Sequence, residues 1–258
     1  MNEATRTSPM IVSYGMGVDS TAVLVGLAQR GERPDAILFA DTGSEKPETY
    51  AYLATINAWL ETVGFPQVTV VKNPRLKSGD KSLYEACHRT QVLPALAYGM
   101  HQCSIVWKLD PQMWFVRGNR NQGIKPWQPA VDAWARGELV TFCIGYDNGD
   151  RDRKRCSQAF GKTQEGFQNR YPLIEWGWDR EECERQIAAA GLPVPVKSAC
   201  FFCPASTKPE IDSLVAKHPN LVAMAIELET RAKEKGLKSV KGLGRRWAWG
   251  DYVNNTAA

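Results

Sequence analysis

"MIVSYGMGVDSTAVLVGLAQRG", residues 10–31, decides how the rest of the chain is read. Met10–Tyr14 is an apolar run with the length of a buried strand. Gly15 and Gly17 mark a turn. From Asp19 to Arg30, the residues Ala22, Val23, Leu24, Leu27 and Ala28 recur at helical spacing, and Gly31 stops them. A strand, a glycine-spaced turn and a helix start in succession make an anion site. The first N–H groups of a helix have no partner within it, and they carry the positive end of its dipole. Gly15 and Gly17 allow positive φ and let a phosphate approach the backbone. Ser20 and Thr21 add hydroxyls, and Asp19 is placed to orient Mg²⁺ or to cap the helix. A plain strand-to-helix turn, with Asp19 or Ser20 as its N-cap, stands as the alternative.

The pattern repeats downstream. "DAILFADTG" (Asp35–Gly43) reads as a second strand ending in a turn, and Lys46–Gly64 as a helix with Pro near its start and Gly at its end. Gln67–Val71 is a third strand and Glu138–Asp147 a further one. Strands alternating with helices predict a parallel sheet. From about Asp150 the texture changes. "NGDRDRKR" reads as a charged loop, and two helical segments follow, over 179–191 and 208–236. The expected fold is α/β, with a parallel-sheet, Rossmann-like core over 9–150. A mostly helical, cysteine-containing segment over 151–258 is expected to fold together with it.

The 258 residues suffice for one large domain or two small ones. The 43% hydrophobic and 23% charged content is ordinary for a globular protein, and the net charge of +4 permits an anionic partner without demanding one. No apolar run reaches the ~18 residues of a membrane span. The first ten residues lack a basic-then-apolar pattern, so the chain reads as cytoplasmic, with no membrane partner. Seven cysteines without a secretory signal point to metal or catalysis before disulfides.

Two nucleotide fingerprints fail on the opening turn. A dinucleotide loop needs a third glycine where Ser20 stands. A phosphate loop of the G-x-x-x-x-G-K-[ST] kind has its tail at Gly161-Lys162-Thr163, but Cys156 stands where its first glycine belongs. "SYGMGVDST" instead resembles the PP-loop, S-G-G-x-D-S, of the ATP pyrophosphatases. It is one residue longer, and Met16 replaces the first glycine. The spacing S-x-G-x-G-x-D-S is similar to the branch that resembles phosphoadenosine-phosphosulfate (PAPS) reductase. "FADTGSEKPETYAYL" looks like that branch's second signature, and "HQCSIVWKLDP" resembles its C-T-x-x-x-K-x-x-P segment. "CIGYDNGDRDRKR" is a looser match to G-x-x-x-[DE]-x-x-R. "YPLIEWGWDREECERQIAAAGLPVPVKSACFFCP" is similar to relatives that include phage-encoded proteins. The resemblance spans about residues 9–208.

It implies an adenine nucleotide alpha hydrolase-like core that binds ATP (or PAPS or APS) with Mg²⁺ through Ser13, Gly15, Gly17, Asp19, Ser20, Thr21, Asp41, Thr42 and Gly43. Asp19 and Lys108 are the residues carried over as catalytic. Asp147, Asp150 and Arg151 are weaker metal or phosphate contacts. Cys200-x-x-Cys203 has the spacing for two thiolates on one metal, with a redox pair as the alternative. The resemblance adds Cys103 and Cys183. Cys183 also follows Asp179 and Glu182, a helix-capping pattern that puts it in a first turn where the dipole favours a thiolate. Its alternative is a small apolar residue on an amphipathic helix. Together the four suit a [4Fe–4S] cluster or Zn²⁺. Cys143 reads as core, Cys87 and Cys156 are unassigned, and His88, His101 and His218 read as structural or surface residues. Of these, His101 is a reserve ligand.

Three functions follow from these residues. In the first, an ATP pyrophosphatase-type enzyme adenylylates a substrate and releases pyrophosphate, for sulfur transfer or nucleic-acid modification, beside partner proteins of a modification system. In the second, the same cradle serves a sulfonucleotide reductase or a sulfotransferase-like enzyme. Against it, no cysteine follows Cys203, and Gln102-Cys103 stands where cluster-bearing reductases have a cysteine pair. In the third, a Zn-stapled fold binds nucleic acid through "KSVKGLGRRWAWGDY" (Lys238–Tyr252), with Trp247, Trp249 and Tyr252 stacking on bases. The alternative for that tail is a segment docking its tryptophans on the body.

Overall fold

The computed structural model describes residues 8–74, 78–159 and 164–256. The Gly161–Thr163 triplet lies outside the described residues. In chain order the elements are β1 (Met10–Ser13), α1 (Val18–Gln29), β2 (Ala36–Ala40), α2 (Pro47–Thr62), β3 (Val68–Val71), α3 (Leu83–Thr90), α4 (Gln102–Ser104), a π-helical stretch over Ile105–Leu109, α5 (Asp110–Arg117), α6 (Gln128–Ala135), β4 (Val140–Ile144), α7 (Asp150–Ala159), β5 (Phe167–Arg170), α8 (Pro172–Glu175), α9 (Arg180–Ala189), α10 (Lys208–Lys217), α11 (Pro219–Gly236) and α12 (Trp249–Thr256).

The strands form one parallel sheet in the order β3-β2-β1-β4-β5. The chain builds outward from β1 to one side, then returns to lay β4 and β5 on the other. The order therefore reverses between β1 and β4, and ligands of open parallel sheets bind at the strand ends beside such a reversal. β2 is buried along its whole length and β1 through its first three residues, as in a sheet covered on both faces, so they read as unbroken apolar runs. β5 is different. Only Phe167 of "FQNR" is buried, so this edge strand leaves no apolar pattern to read. It adds a strand to a segment expected to be mostly helical.

The described residues divide into two compact units that interleave along the sequence, unlike a single cut at 150. One comprises the residues up to Ala40, Pro47–Val71 and Pro111–Ser198. The other comprises Asp41–Lys46, Lys72–Asp110 and the residues from Ala199 onward.

The first unit holds the sheet. Met10 and Val12 of β1 join Ile37 and Phe39 of β2 in one cluster, while Ile11, Ala36 and Leu38 face the opposite one, as the two-residue repeat of a strand requires. α1 packs against α9 through the first cluster, which includes Leu24, Leu27, Cys183 and Ile187. A Cβ on Gly26 would stand 2.1 Å from the Trp176 ring, so a glycine is needed there. Two sequence expectations change. The charged stretch from Asp150 is helical as α7, with Asp150 and Asp152 in the first turn, where the dipole favours acids. Ion pairs Arg153–Asp150 and Arg155–Asp152 lie one turn apart along it. The segment 208–236 is two helices, because Pro219 opens α11 instead of interrupting a longer helix.

The second unit is helical. α3, α10, α11 and α12 enclose a cluster that includes Phe202, Ile211, Leu228 and Trp249. Glu229 of α11 is 1% exposed, and its carboxylate ties the C-terminal segment down. Oε1 accepts from the backbone N–H of Leu243 (2.7 Å) and of Trp249 (2.9 Å), and Oε2 from that of Gly250 (3.0 Å). A Glu229→Ala variant leaves three buried N–H groups without an acceptor. Each orphan costs roughly 1–3 kcal/mol, so the expected loss is about 4 kcal/mol in denaturant unfolding. Glu229→Gln, which keeps one acceptor oxygen, is expected to lose about half of that. Equal stability of wild type and the alanine variant would show that the carboxylate does not hold this segment.

Candidate functional site

The turn between β1 and α1 is closed by its own side chains. Tyr14 N–H donates to Leu38 O at 2.8 Å and extends the ladder one residue past β1. The positive φ falls on Met16 (+60°), and neither Gly15 nor Gly17, which allow it, takes one. Met16 bears that conformation with its side chain buried in the core of the first unit. Gly17 is the helix N-cap in an extended conformation, with φ −109° and ψ 179°. Its carbonyl accepts from Thr21 N–H (3.0 Å) and from the hydroxyls of Thr21 (2.9 Å) and Ser20 (3.2 Å). Ser20 Oγ in turn accepts from Gly15 N–H at 3.1 Å. Both hydroxyls, expected to serve a ligand, are thus engaged in shaping the loop. Gly17 has no side chain to cap the helix, so the amides of the first turn of α1 are left to other acceptors.

Gly17 and Gly145 allow close approach here, while Gly15 has room for a Cβ. A Cβ on Gly17 would meet Ser198 Oγ at 3.2 Å, and one on Gly15 would meet it at 3.8 Å. A Cβ on Gly145, just past β4, would meet Ser20 N at 2.8 Å and Asp19 C at 2.9 Å. The chain just past β4 thus meets the first turn of α1 backbone to backbone. Ser198 escapes a reading of the sequence that attends to the cysteines after it. Its signal was the serine of the S-A-C-x-x-C-P run itself.

Asp19 is the charged group of the loop. Arg180, the first residue of α9, donates to its Oδ1 at 2.8 Å. Arg180 is placed there by the packing of α9 on α1 and by the cap beneath it, where Asp179 accepts from Glu182 N–H at 2.9 Å. The expected capping pattern at Asp179 and Glu182 is therefore in place, while Arg180 went unnoticed beside it. Burial lifts the Asp19 carboxyl from its ordinary 3.8 to about 6. Arg180 opposes this, and Asp147, Asp152 and Glu184 add to it. Of the three weaker candidates, Asp147 therefore acts on Asp19, and its Oδ1 also accepts from Gly149 N–H at 2.9 Å. Asp150 is engaged with Arg153, and Arg151 is exposed.

The remaining expected residues lie in the second unit. Asp41, Thr42 and Gly43 form a tight turn. Asp41 Oδ1 accepts from Gly43 N–H at 2.7 Å, and Lys72 Nζ is 2.7 Å from Oδ2. Gly43 has φ +67°. Thr42 O accepts from Leu83 N–H at 2.8 Å, anchoring the start of α3. Lys108 lies in the π-helical stretch and pairs with Glu45 Oε1 at 3.0 Å, where the Glu45 side chain is fully buried. Thr42 Oγ1 donates to the same oxygen at 3.2 Å and is 3.3 Å from Cys200 Sγ. Burial opposes the Lys108 charge, but Glu45 outweighs it, helped by Cys200 and Cys203, and holds the ammonium above the usual lysine range.

Of the four cysteines expected to act together, Cys183 belongs to the first unit and Cys103, Cys200 and Cys203 to the second. Cys183 is fully buried in the core of the first unit, where burial, with Asp19 and Asp147, pushes its thiol up to about 12. Cys87 and Cys200 are buried in the core of the second unit, and Cys103 and Cys203 pack half-buried against it. Among the described residues, no three His, Cys, Asp or Glu side chains stand in a metal-holding arrangement. Cys143 is core, as expected. His88 pairs with Glu227 at 3.0 Å.

The C-terminal aromatics divide. Trp249 is 1% exposed within the second unit's core, so it is not free to stack on a base, and it docks as the alternative for the tail expects. Trp247 and Tyr252 pack edge to face 5.6 Å apart, with Lys208 Nζ 4.9 Å from the Tyr252 ring. No helix among the described residues is long and apolar enough to cross a membrane. No family model matches this chain, and no curated protein matches it.

The raised Asp19 carboxyl carries a stability cost with a definite sign. Near pH 4 and below, both folded and unfolded chains hold the proton. As pH rises from about 4 to 6 the unfolded chain gives it up first, so stability falls. Above about pH 6 the full penalty, roughly 3 kcal/mol, is present. Asp19→Asn is therefore expected to be more stable than wild type at pH 7.5, with the gap shrinking toward zero at pH 4. Urea unfolding at the two pH values checks it, and a gap independent of pH would be the wrong result.

Proposed function

We propose that this chain binds Mg·ATP at the β1–α1 turn and adenylylates a substrate with release of pyrophosphate. The observation that carries the reading is the turn itself, at the reversal of strand order in a parallel sheet. An uncapped helix N-terminus, a close backbone approach allowed by Gly17 and Gly145, and the Asp19–Arg180 pair stand together there. The resemblance of "SYGMGVDST" to the PP-loop turns this general anion site toward ATP. Helix N–H groups and Arg180 suit a polyphosphate, which is dense in negative charge. A substrate oxygen attacks the α-phosphorus. The bond from that phosphorus to the α–β bridging oxygen breaks, and pyrophosphate leaves with its Mg²⁺. A sulfur or nitrogen nucleophile then displaces AMP. Groups preset toward the leaving pyrophosphate, where charge grows, would lower the barrier most.

Nucleic acid is the acceptor class that best suits the rest of the chain. Exposed Lys241, Arg245 and Arg246 adjoin Trp247 in sequence, and Lys208 lies near the Trp247–Tyr252 pair. A basic surface with an aromatic pair suits phosphates and bases together.

Calorimetric titration with Mg·ATP and with PAPS, followed by assay of AMP and pyrophosphate, tests the proposal. ATP is expected to bind and be cleaved between its α- and β-phosphates. Asp19→Ala is expected to keep the fold and lose turnover. Gly145→Ala, which presses on the backbone of Ser20, is expected to weaken ATP binding by about tenfold or more, a loss of at least ~1.4 kcal/mol. Turnover that survives Asp19→Ala would remove the assignment of the turn. PAPS binding in preference to ATP would replace adenylylation by sulfonucleotide chemistry.

A further inference from the structure

β4 and β5 end beside each other, and each is followed by a tyrosine. Tyr146 stands just past β4, and Tyr171 directly follows β5. Their rings stack, with 5.5 Å between centroids and 19° between planes, and both residues stay half-buried. Tyr171 opens α8 through its backbone alone, since its side chain makes no capping hydrogen bond to that helix. The pair lies at the carboxyl end of the sheet, where Ser13 of β1 is paired with Ile144 of β4 and where Gly145 approaches Ser20. It therefore adjoins the β1–α1 turn, and every residue involved belongs to the first unit.

Helix α7 brings positive charge to the same place. The Arg155 guanidinium is 5.6 Å from the centre of the Tyr146 ring, and Cys156 is close enough to Tyr171 to act on it electrostatically. Along α7, Arg153 answers Asp150 and Arg155 answers Asp152, so Arg151 and Lys154 are the surplus cations. Both are exposed, and three residues apart they share one face of the helix. Stacked, half-buried rings beside a cationic helix suit a ligand that offers flat bases and regularly spaced phosphates together. Bases in a duplex have both faces covered by their neighbours. In a single strand they can unstack and join the tyrosines, while the phosphates meet Arg151 and Lys154.

We infer that the Tyr146–Tyr171 stack and α7 form a binding surface for single-stranded nucleic acid beside the β1–α1 turn. It is separate from the basic segment around Trp247, which belongs to the second unit. The inference rests on the reading of the acceptor as nucleic acid and goes further, giving its strandedness and the residues that hold it next to the turn. Single strands of DNA and of RNA share this chemistry. Strand binding needs no ATP, so it is measured without nucleotide, and its outcome is separate from that of ATP cleavage.

The test is fluorescence anisotropy with a labelled single-stranded oligonucleotide, in DNA and RNA versions, and with the corresponding duplexes, over a series of salt concentrations. At least one of the single strands is expected to bind about tenfold more tightly than its duplex, because a stacked base contributes that much. Tyr146→Ala and Tyr171→Ala are each expected to weaken strand binding by about tenfold. Tyr146→Phe, which keeps the ring, is expected to bind as wild type does. Replacing Arg151 and Lys154 together by Ala is expected to flatten the slope of log affinity against log salt by about 1.4, as two lost phosphate contacts on a single strand require. A purely structural role for α7 would not move that slope. Circular dichroism reports whether each variant folds. A further measurement needs no variant: ultraviolet cross-linking of wild type to the strand is expected to tag the peptides that carry Tyr146 or Tyr171. ATP cleavage by a chain that binds no single strand would overturn this inference and leave the nucleotide reading intact. Strand binding at these residues without ATP cleavage would sustain the surface and remove the adenylylation. Equal affinity for duplex and single strand, full affinity in a folded Tyr146→Ala, an unchanged salt slope, or cross-links confined to the segment around Trp247 would each overturn the assignment.

Discussion

The turn from β1 into α1 places a non-glycine residue, Met16, in the left-handed region, which costs a β-carbon roughly 1–2 kcal/mol. Two things sustain it. The Met16 side chain is buried, and the loop is cross-braced by hydrogen bonds that converge on Gly17 O. Other segments of the same unit then pack against this turn at backbone distance, Gly145 on Ser20 and Ser198 near Gly17. The hydroxyls of Ser20 and Thr21 are used to hold the loop, so an anion there would be met by backbone amides and by Arg180. Backbone amides cannot swing away, and their preset direction is what makes such a site effective on charge that develops during a reaction.

Each unit also has a charged pair among the residues the sequence singles out. In the first, burial raises the Asp19 carboxyl, and Arg180 offsets part of that rise. In the second, Glu45 answers Lys108, and Thr42 and Cys200 share the same carboxylate oxygen. Taking a carboxylate out of water is costly unless donors surround it. Glu45 meets this with an ammonium and a hydroxyl, and Glu229 with three backbone N–H groups. The Glu45 pair is set among residues the sequence ties to ligands. The Glu229 group is set among residues that only hold a chain end.

The cysteines show how spacing and packing divide the work. Cys200 and Cys203 announce themselves by being three apart. Cys183 invites the same reading from a helix cap and a motif, and it is buried in the apolar cluster between α1 and α9. Cys87 stands in no motif, and it shares an apolar cluster with Cys200 only once α3 has packed.

By itself the sequence determined the parallel sheet, because strands buried on both faces must be unbroken apolar runs and the helices between them must carry one apolar stripe. It also determined the glycine-spaced turn and its place at a helix start, where local chemistry is decided within a few residues. Tertiary structure decided the rest. β5 is a strand because β4 offers it an edge, and "FQNR" has no pattern of its own. α7 is helical although its sequence reads as a charged loop, since paired charges one turn apart stabilise what hydropathy does not predict. Arg180 reaches Asp19 across 161 residues, and Glu229 reaches Trp249 across 20. No periodicity records such contacts, because burial and charge pairing act between side chains that only the fold brings together.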